Sequence, residues 1–208
     1  MILYIFVLTV FSTNLFAFDG VITYTQTDLE NGKQVPSITK ELNAYFKDDE
    51  LVRINLKFDK SKYKVATQDV YISHSKGVVT NVSVDDRKYS KSSFDKLIKP
   101  KVMPSAQAEI KTFYNQKTRT YLFPEDHSKV KTSLYYSESF KVKPQPYLSS
   151  AIGSMSWALN PETGAVAMKI HMQLTKDTER IMEVSKIDAR ELKPAEYIPR
   201  LERYELEK

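Results

Sequence analysis

Glu41-Leu42-Asn43-Ala44-Tyr45-Phe46-Lys47-Asp48-Asp49-Glu50-Leu51-Val52-Arg53-Ile54-Asn55-Leu56-Lys57-Phe58 carries the reading of the fold. Leu42, Ala44 and Phe46 alternate with Glu41, Asn43, Tyr45 and Lys47, the period-two pattern of a strand with one buried side. Lys47-Asp48-Asp49-Glu50 supplies turn formers, and Val52, Ile54, Leu56 and Phe58 then line up a second apolar stripe. A β-hairpin that buries one face is expected here, because a slip of one residue would turn every apolar side chain to water.

Working outward, the same alternation recurs. It precedes the hairpin over residues 21–27 and follows it over 65–72 and 78–84, with Ser73-His74-Ser75-Lys76-Gly77 between them as a turn. Asp85-Asp86-Arg87 then bends the chain into Lys88-Tyr89-Ser90. Towards the C-terminus, 153–159 and 165–174 flank Asn160-Pro161-Glu162-Thr163-Gly164, where Pro sets φ and Gly accepts a positive φ. Residues 175–178 turn into a further strand at 179–187. Pro194 and Pro199 exclude a central strand or a long helix in the tail, which is expected to run extended along the sheet.

The middle is less regular. Residues 92–98 and 105–114 are expected as short helices, separated by Pro100 and Pro104, and Lys141-Val142-Lys143-Pro144-Gln145-Pro146 as an extended connector. Twisted open sheets approaching about ten strands curl or split. The expected class is therefore mainly β (α+β): a curled antiparallel sheet that makes a trough, its apolar concave face covered if the two short helices lie over it.

Residues 1–17 are almost wholly apolar and end at Ala17 before Phe18-Asp19-Gly20, which reads as a cleavable export signal. A spanning helix needs about 20 apolar residues, and Ser12, Thr13 and Asn14 break this run. Residues 18–208 then form a single domain. Export places the chain in the periplasm or outside the cell, away from nucleotide cofactor pools and from nucleic-acid partners. The absence of cysteine removes disulfides, thiolate metal sites and lipid attachment through sulfur. Lys and Arg number 31 against 26 Asp and Glu, and the signs are interspersed, as in Lys176-Asp177-Thr178-Glu179-Arg180. That describes a solvated, mildly basic surface, with peripheral contact to anionic headgroups as its functional alternative.

Catalytic patterns are weak. His74, His127 and His171 are far apart and none sits in a zinc-site spacing. Gly153-Ser154-Met155-Ser156-Trp157 lacks the second glycine of a nucleophile elbow. Asp48-Asp49-Glu50 and Asp85-Asp86 are explained as turn residues by the local hydrogen bonds Asp makes, and Asn81-Val82-Ser83 spells a sequon inside a strand. No catalytic residue, metal or cofactor is assigned, and the chain is read as non-enzymatic. Thirteen tyrosines and ten phenylalanines suit strands and equally suit cavity walls. Leu148, Ile152, Met155 and Trp157 are the candidate cavity lining, since Met and Trp adapt to irregular apolar shapes.

The order of these elements resembles exported bacterial domains of unknown function related to the lipoprotein carriers LolA and LolB. The words that carry the likeness are Phe18-Asp19-Gly20-Val21-Ile22-Thr23-Tyr24, the segment 44–54, Asp69-Val70-Tyr71-Ile72, Asp86-Arg87-Lys88-Tyr89, Glu183-Val184-Ser185-Lys186-Ile187, Tyr197-Ile198-Pro199 and Tyr204-Glu205. The resemblance implies a half-open barrel that shelters acyl chains. Two functions follow as expectations: a binder of a lipid or lipoprotein acyl chain, or a structural or protein-interaction module of the cell envelope with an envelope protein as partner. A secreted enzyme with an unrecognised site ranks behind both.

Overall fold

The structure is a computed structural model that describes residues 17–59, 67–93, 103–123, 130–145 and 158–207. These residues build one open, mainly β sheet of thirteen strands. Five of them form a meander in chain order: β3 (Thr39–Lys47), β4 (Glu50–Phe58), β5 (Thr67–Ser73), β6 (Val78–Ser83) and β7 (Lys88–Ser93). A second meander comprises β8 (Ser105–Phe113), β9 (Gln116–Leu122), β10 (Lys131–Lys141), β11 (Ala165–Gln173) and β12 (Thr178–Ala189). β1 (Gly20–Glu30) is the seam, antiparallel to β3 on one side and to β12 on the other, with the short β2 (Lys33–Val35) paired to its far end. The two-residue β13 (Glu205–Leu206) adds to β7 in parallel.

The hairpins close where turn chemistry permits. Asn31-Gly32, Asp48-Asp49 and Tyr114-Asn115 each have positive φ at both central residues, the geometry that matches strand twist in a two-residue loop. The 41–58 hairpin forms as expected, with one correction to its register. Tyr45 pairs with Arg53 while Phe46 pairs with Leu51, so Val52 is bulged out and Leu51, 2% exposed, takes the inward position expected of Val52.

Residues 105–114, expected as a helix, are instead the edge strand β8 and half of its turn. Helix formers such as Ala106, Ala108 and Glu109 mask the period-two pattern there. The pairing Phe113↔Gln116 across Tyr114-Asn115 and the ladder to β9 decide the outcome. Ser92 and Ser93 belong to β7, and the rest of the 92–98 segment lies outside the described residues. The described helix, α1 (Pro194–Tyr197), lies against β4 on the outer face, so it is not one of the helices expected on the concave side.

The tail therefore holds one helical turn where an extended run is expected. Pro194 occupies the first helical position, where a missing N–H costs nothing. Glu196 reaches back to the Lys193 N–H at 2.9 Å and takes Arg190 in a fork at 2.7 and 3.0 Å. Those donors hold the Glu196 carboxyl at about 2, below its ordinary 4.5.

Curling is visible in contacts that skip strands. Phe18, ahead of β1, stacks edge-on with Phe140 of β10 at 5.0 Å and tilted on Phe46 of β3 at 5.7 Å. Bulges at Thr23/Tyr24, Tyr45/Phe46 and Tyr135/Tyr136 sharpen the bend.

The outer face is held by a polar cluster. The Arg53 guanidinium lies between the Tyr45 and Tyr71 rings, 4.8 and 5.2 Å from their centroids, and donates two bonds to Asp69 Oδ1 at 2.9 and 2.7 Å. Asn55 adds a third at 2.8 Å, and Arg53 also donates to the Glu196 carbonyl at 2.9 Å, tying the tail to the sheet.

Three outcomes are expected. Gly164 has φ +69 and a Cβ there would sit 1.8 Å from the Val142 carbonyl oxygen, so Gly164→Ala should lower stability by about 1–3 kcal/mol or more in urea unfolding. Asp69→Ala should cost about 3 kcal/mol, the low end for breaking a buried pair, because Arg53 keeps 16% exposure. For Glu196, the charged form is favoured by the docked tail. Its contribution is complete above pH about 4.5 and lost as pH falls through about 2. Amide exchange at Ile198 should accelerate across that window, and Glu196→Gln should abolish the dependence.

Candidate functional site

Cross-strand rows build the inner face from the sequence alternation. Ile22 of β1 lies opposite Ala44 of β3, which lies opposite Ile54 of β4, which lies opposite Val70 of β5. The next row runs Tyr24, Leu42, Leu56. On the other side of the seam Tyr24 lies opposite Val184 of β12, and one residue pair further along that face Met182, Ile170, Leu134 and Tyr121 form a row through β12, β11, β10 and β9. Side chains at directly opposed positions are close enough to pack, and together these rows form one contiguous apolar cluster with Phe46, Tyr136 and Met168.

This face is closed to solvent: Ile22, Leu134 and Met168 are at 0% and Tyr24, Phe46 and Tyr136 at 1% exposure. Burial pushes the hydroxyl pKa values of Tyr24 and Tyr136 well up, and the nearby Tyr24 and Tyr121 phenols raise Tyr136 further. Both phenols stay neutral. They bring no base or nucleophile to this face, which is suited to apolar contact.

Residues 142–145 and 158–164 pack at the edge of this face. After β10 the chain reaches the β3–β4 turn, where the Lys143 N–H donates to the Asp49 carbonyl at 3.2 Å and Lys143 pairs with Glu50. The Gln145 side chain, 2% exposed, accepts from the Leu51 N–H and donates to the Asp49 and Lys143 carbonyls. The chain returns at Ala158 and Leu159, both buried in the same cluster. The turn that follows is organised by Asn160, whose Oδ1 accepts from the Glu162 and Thr163 N–H groups at 3.0 Å each. The Gly164 N–H then donates to the Asn160 carbonyl, and its carbonyl accepts from the Val142 N–H, fastening 142 to the start of β11.

Leu148, Ile152, Met155 and Trp157, the expected lining, lie outside the described residues, as do Ser154, Ser156 and His127. What the structure adds is that the flanks of that segment, Gln145 and Ala158, are both buried at the inner rim. Of the residues that make the described part of the face, Leu42 and Phe46 stand in the stripe read from sequence, whereas Tyr24, Leu134, Tyr136 and Met168 are not among the candidate lining. Their alternation was the available signal.

The remaining candidates resolve as structural. His74 bonds the Leu51 carbonyl at 2.7 Å in a turn, and His171 pairs with Glu179 at 2.8 Å on the outer face. Asp85 accepts from the Thr67 N–H, Asp86 from Ser83 and Asp49 from the Phe18 N–H, each closing a local turn or a strand end. Among the described residues no three His, Cys, Asp or Glu gather as a metal site.

No family model matches the chain, and no curated protein matches it in sequence. Among solved structures it is similar to PNGF-II in two crystal forms. One shares 14% identity over 87% of this chain at TM-score 0.51, and the other 11% over 90% at TM-score 0.51. The chain spans 30% of the PNGF-II chain. A LolA superfamily protein from Nitrosomonas europaea is 8% identical, with 88% of this chain and 90% of that one covered at TM-score 0.39. What this chain shares with PNGF-II is a fold over that part of its length.

Proposed function

We propose that this is an exported, non-enzymatic binding protein, periplasmic or secreted, that shelters a lipid or lipoprotein acyl chain against its inner face. The observation that supports the reading is the apolar cluster that runs unbroken from β5 through the seam to β10. Each methylene moved from water onto such a surface is worth about 0.8 kcal/mol. A chain of ten or more is held by contact alone, with no charged group required. In this reading Leu148, Ile152, Met155 and Trp157 are the candidate lining, and they lie in sequence between Gln145 and Ala158, both buried.

One observation favours a second reading, a structural or interaction module of the envelope without a small ligand. The described inner-face side chains are already packed to near-zero exposure by protein, and a full trough has no need of cargo.

Trp157 is the chain's one tryptophan, which gives a direct test. Titration with bromostearate, whose bromines quench indole on contact, should reduce its fluorescence saturably at one equivalent, and stearate should reverse the effect. Protein purified from an envelope extract should also carry acyl species visible by mass spectrometry. Absence of both signals overturns the acyl reading, and recovery of a single cross-linked envelope protein would install the second one.

A further inference from the structure

The outer face holds a second feature, remote from the apolar cluster. Where the tail passes over β5 and β6 it leaves a pocket of about 170 Å³, with Asp69, Tyr71 and Val82 from the sheet and Ile198, Leu201 and Tyr204 from the tail. This is below the roughly 300–1,000 Å³ of drug-sized ligand sites, so it admits one ring and no extended chain. Arg200 stands at the rim, exposed, with no hydrogen bond or ion pair to the described residues.

Asp69 is the informative group. It is 6% exposed, and the bonds from Arg53 Nε, Arg53 Nη2 and Asn55 Nδ2 all fall on Oδ1. Oδ2 has none among the described residues. Since no fully buried side-chain oxygen there lacks a partner, Oδ2 is the part of Asp69 that reaches the pocket surface. It is a fixed acceptor with free lone pairs.

Charge decides what would bind it. Arg53 already neutralises Asp69, and Arg200 lies beside the opening, so a cation meets two guanidinium groups and only one carboxylate. An anion meets the lone pairs of Oδ2. A neutral hydroxyl escapes both penalties, donating to Oδ2 and accepting from Arg200. Burial and the neighbouring Asp69 charge raise the Tyr71 hydroxyl pKa, so that phenol also stays neutral. The Tyr71 and Tyr204 rings with Ile198 and Leu201 offer apolar walls to a C–H face.

We propose that this pocket binds one neutral polyhydroxylated ring, a single sugar or cyclitol residue, through Asp69 Oδ2 and the Arg200 fork. The site is independent of the acyl reading, and it survives if that reading fails.

Amide chemical shifts of the full chain, followed during titration with methyl glucoside, methyl N-acetylglucosaminide and myo-inositol, test it. At least one should produce saturable shifts centred on Asp69, Tyr71, Leu201 and Tyr204, with a dissociation constant of about 1 mM, the weak end expected of so small a site. Leu201→Trp, which fills the space, should abolish them. Arg200→Ala, on an exposed loop that leaves the fold intact, should weaken binding at least about fivefold, the cost of one charge-assisted hydrogen bond. Silence with all three probes at about 50 mM, some fifty times the expected constant, overturns the proposal. So do shifts that persist unchanged in Arg200→Ala, or an equal response to tetramethylammonium or acetate.

Discussion

A sheet with one greasy side and one wet side has a geometric problem that grows with its width. Each added strand lengthens the apolar stripe, and no second layer of comparable size is provided by the described chain. The stripe can leave water only if the sheet bends until its own halves face one another. Nearly everything else follows from that requirement: the bulges beside Tyr24 and Tyr136, the stack of Phe18 between Phe46 and Phe140, and the bond that fastens Val142 to Gly164. The polar side is left outside, where Arg53, Asn55 and Asp69 satisfy one another and anchor the tail.

Alternation made the first meander readable, because in a half-buried antiparallel sheet the period of the side chains is the period of the fold. Leu42, Ala44 and Phe46 face inward as their spacing requires. Leu51 did not yield to that logic. A bulge shifts the phase by one residue, and nothing local in Leu51-Val52-Arg53 reports it. β8 was hidden for another reason. As an exposed edge strand it has almost no buried side to imprint a pattern, so its Ala and Glu content dominated the reading while long-range pairing with β9 decided the structure.

The candidate site was legible in character but not in detail. That one face would be apolar and concave follows from the strand pattern. Which side chains line it depends on how far the sheet curls, and curl is set by contacts such as Phe18 to Phe140 between residues distant in sequence. The outer cluster was still less visible. Arg53, Asn55, Asp69 and Tyr71 each look like ordinary outward-facing strand residues, and only the lateral register of β4 and β5 brings them together. Pro194 and Glu196 did carry a readable helix start, Pro at the first position with an acid two residues on, which the nearby Pro199 obscured.

The placement of β1 has a consequence for how the molecule is made. Its Asp28 meets Arg180 of β12, 152 positions further along the chain, whereas β3 to β7 each pair with the next strand in chain order. During synthesis the early meander can assemble strand by strand, but one border of β1 stays open until β12 emerges. Such non-local closure is slow and leaves a bare strand edge in the meantime. The nascent protein therefore carries a bare strand edge at the centre of its sheet from the emergence of β1 until that of β12.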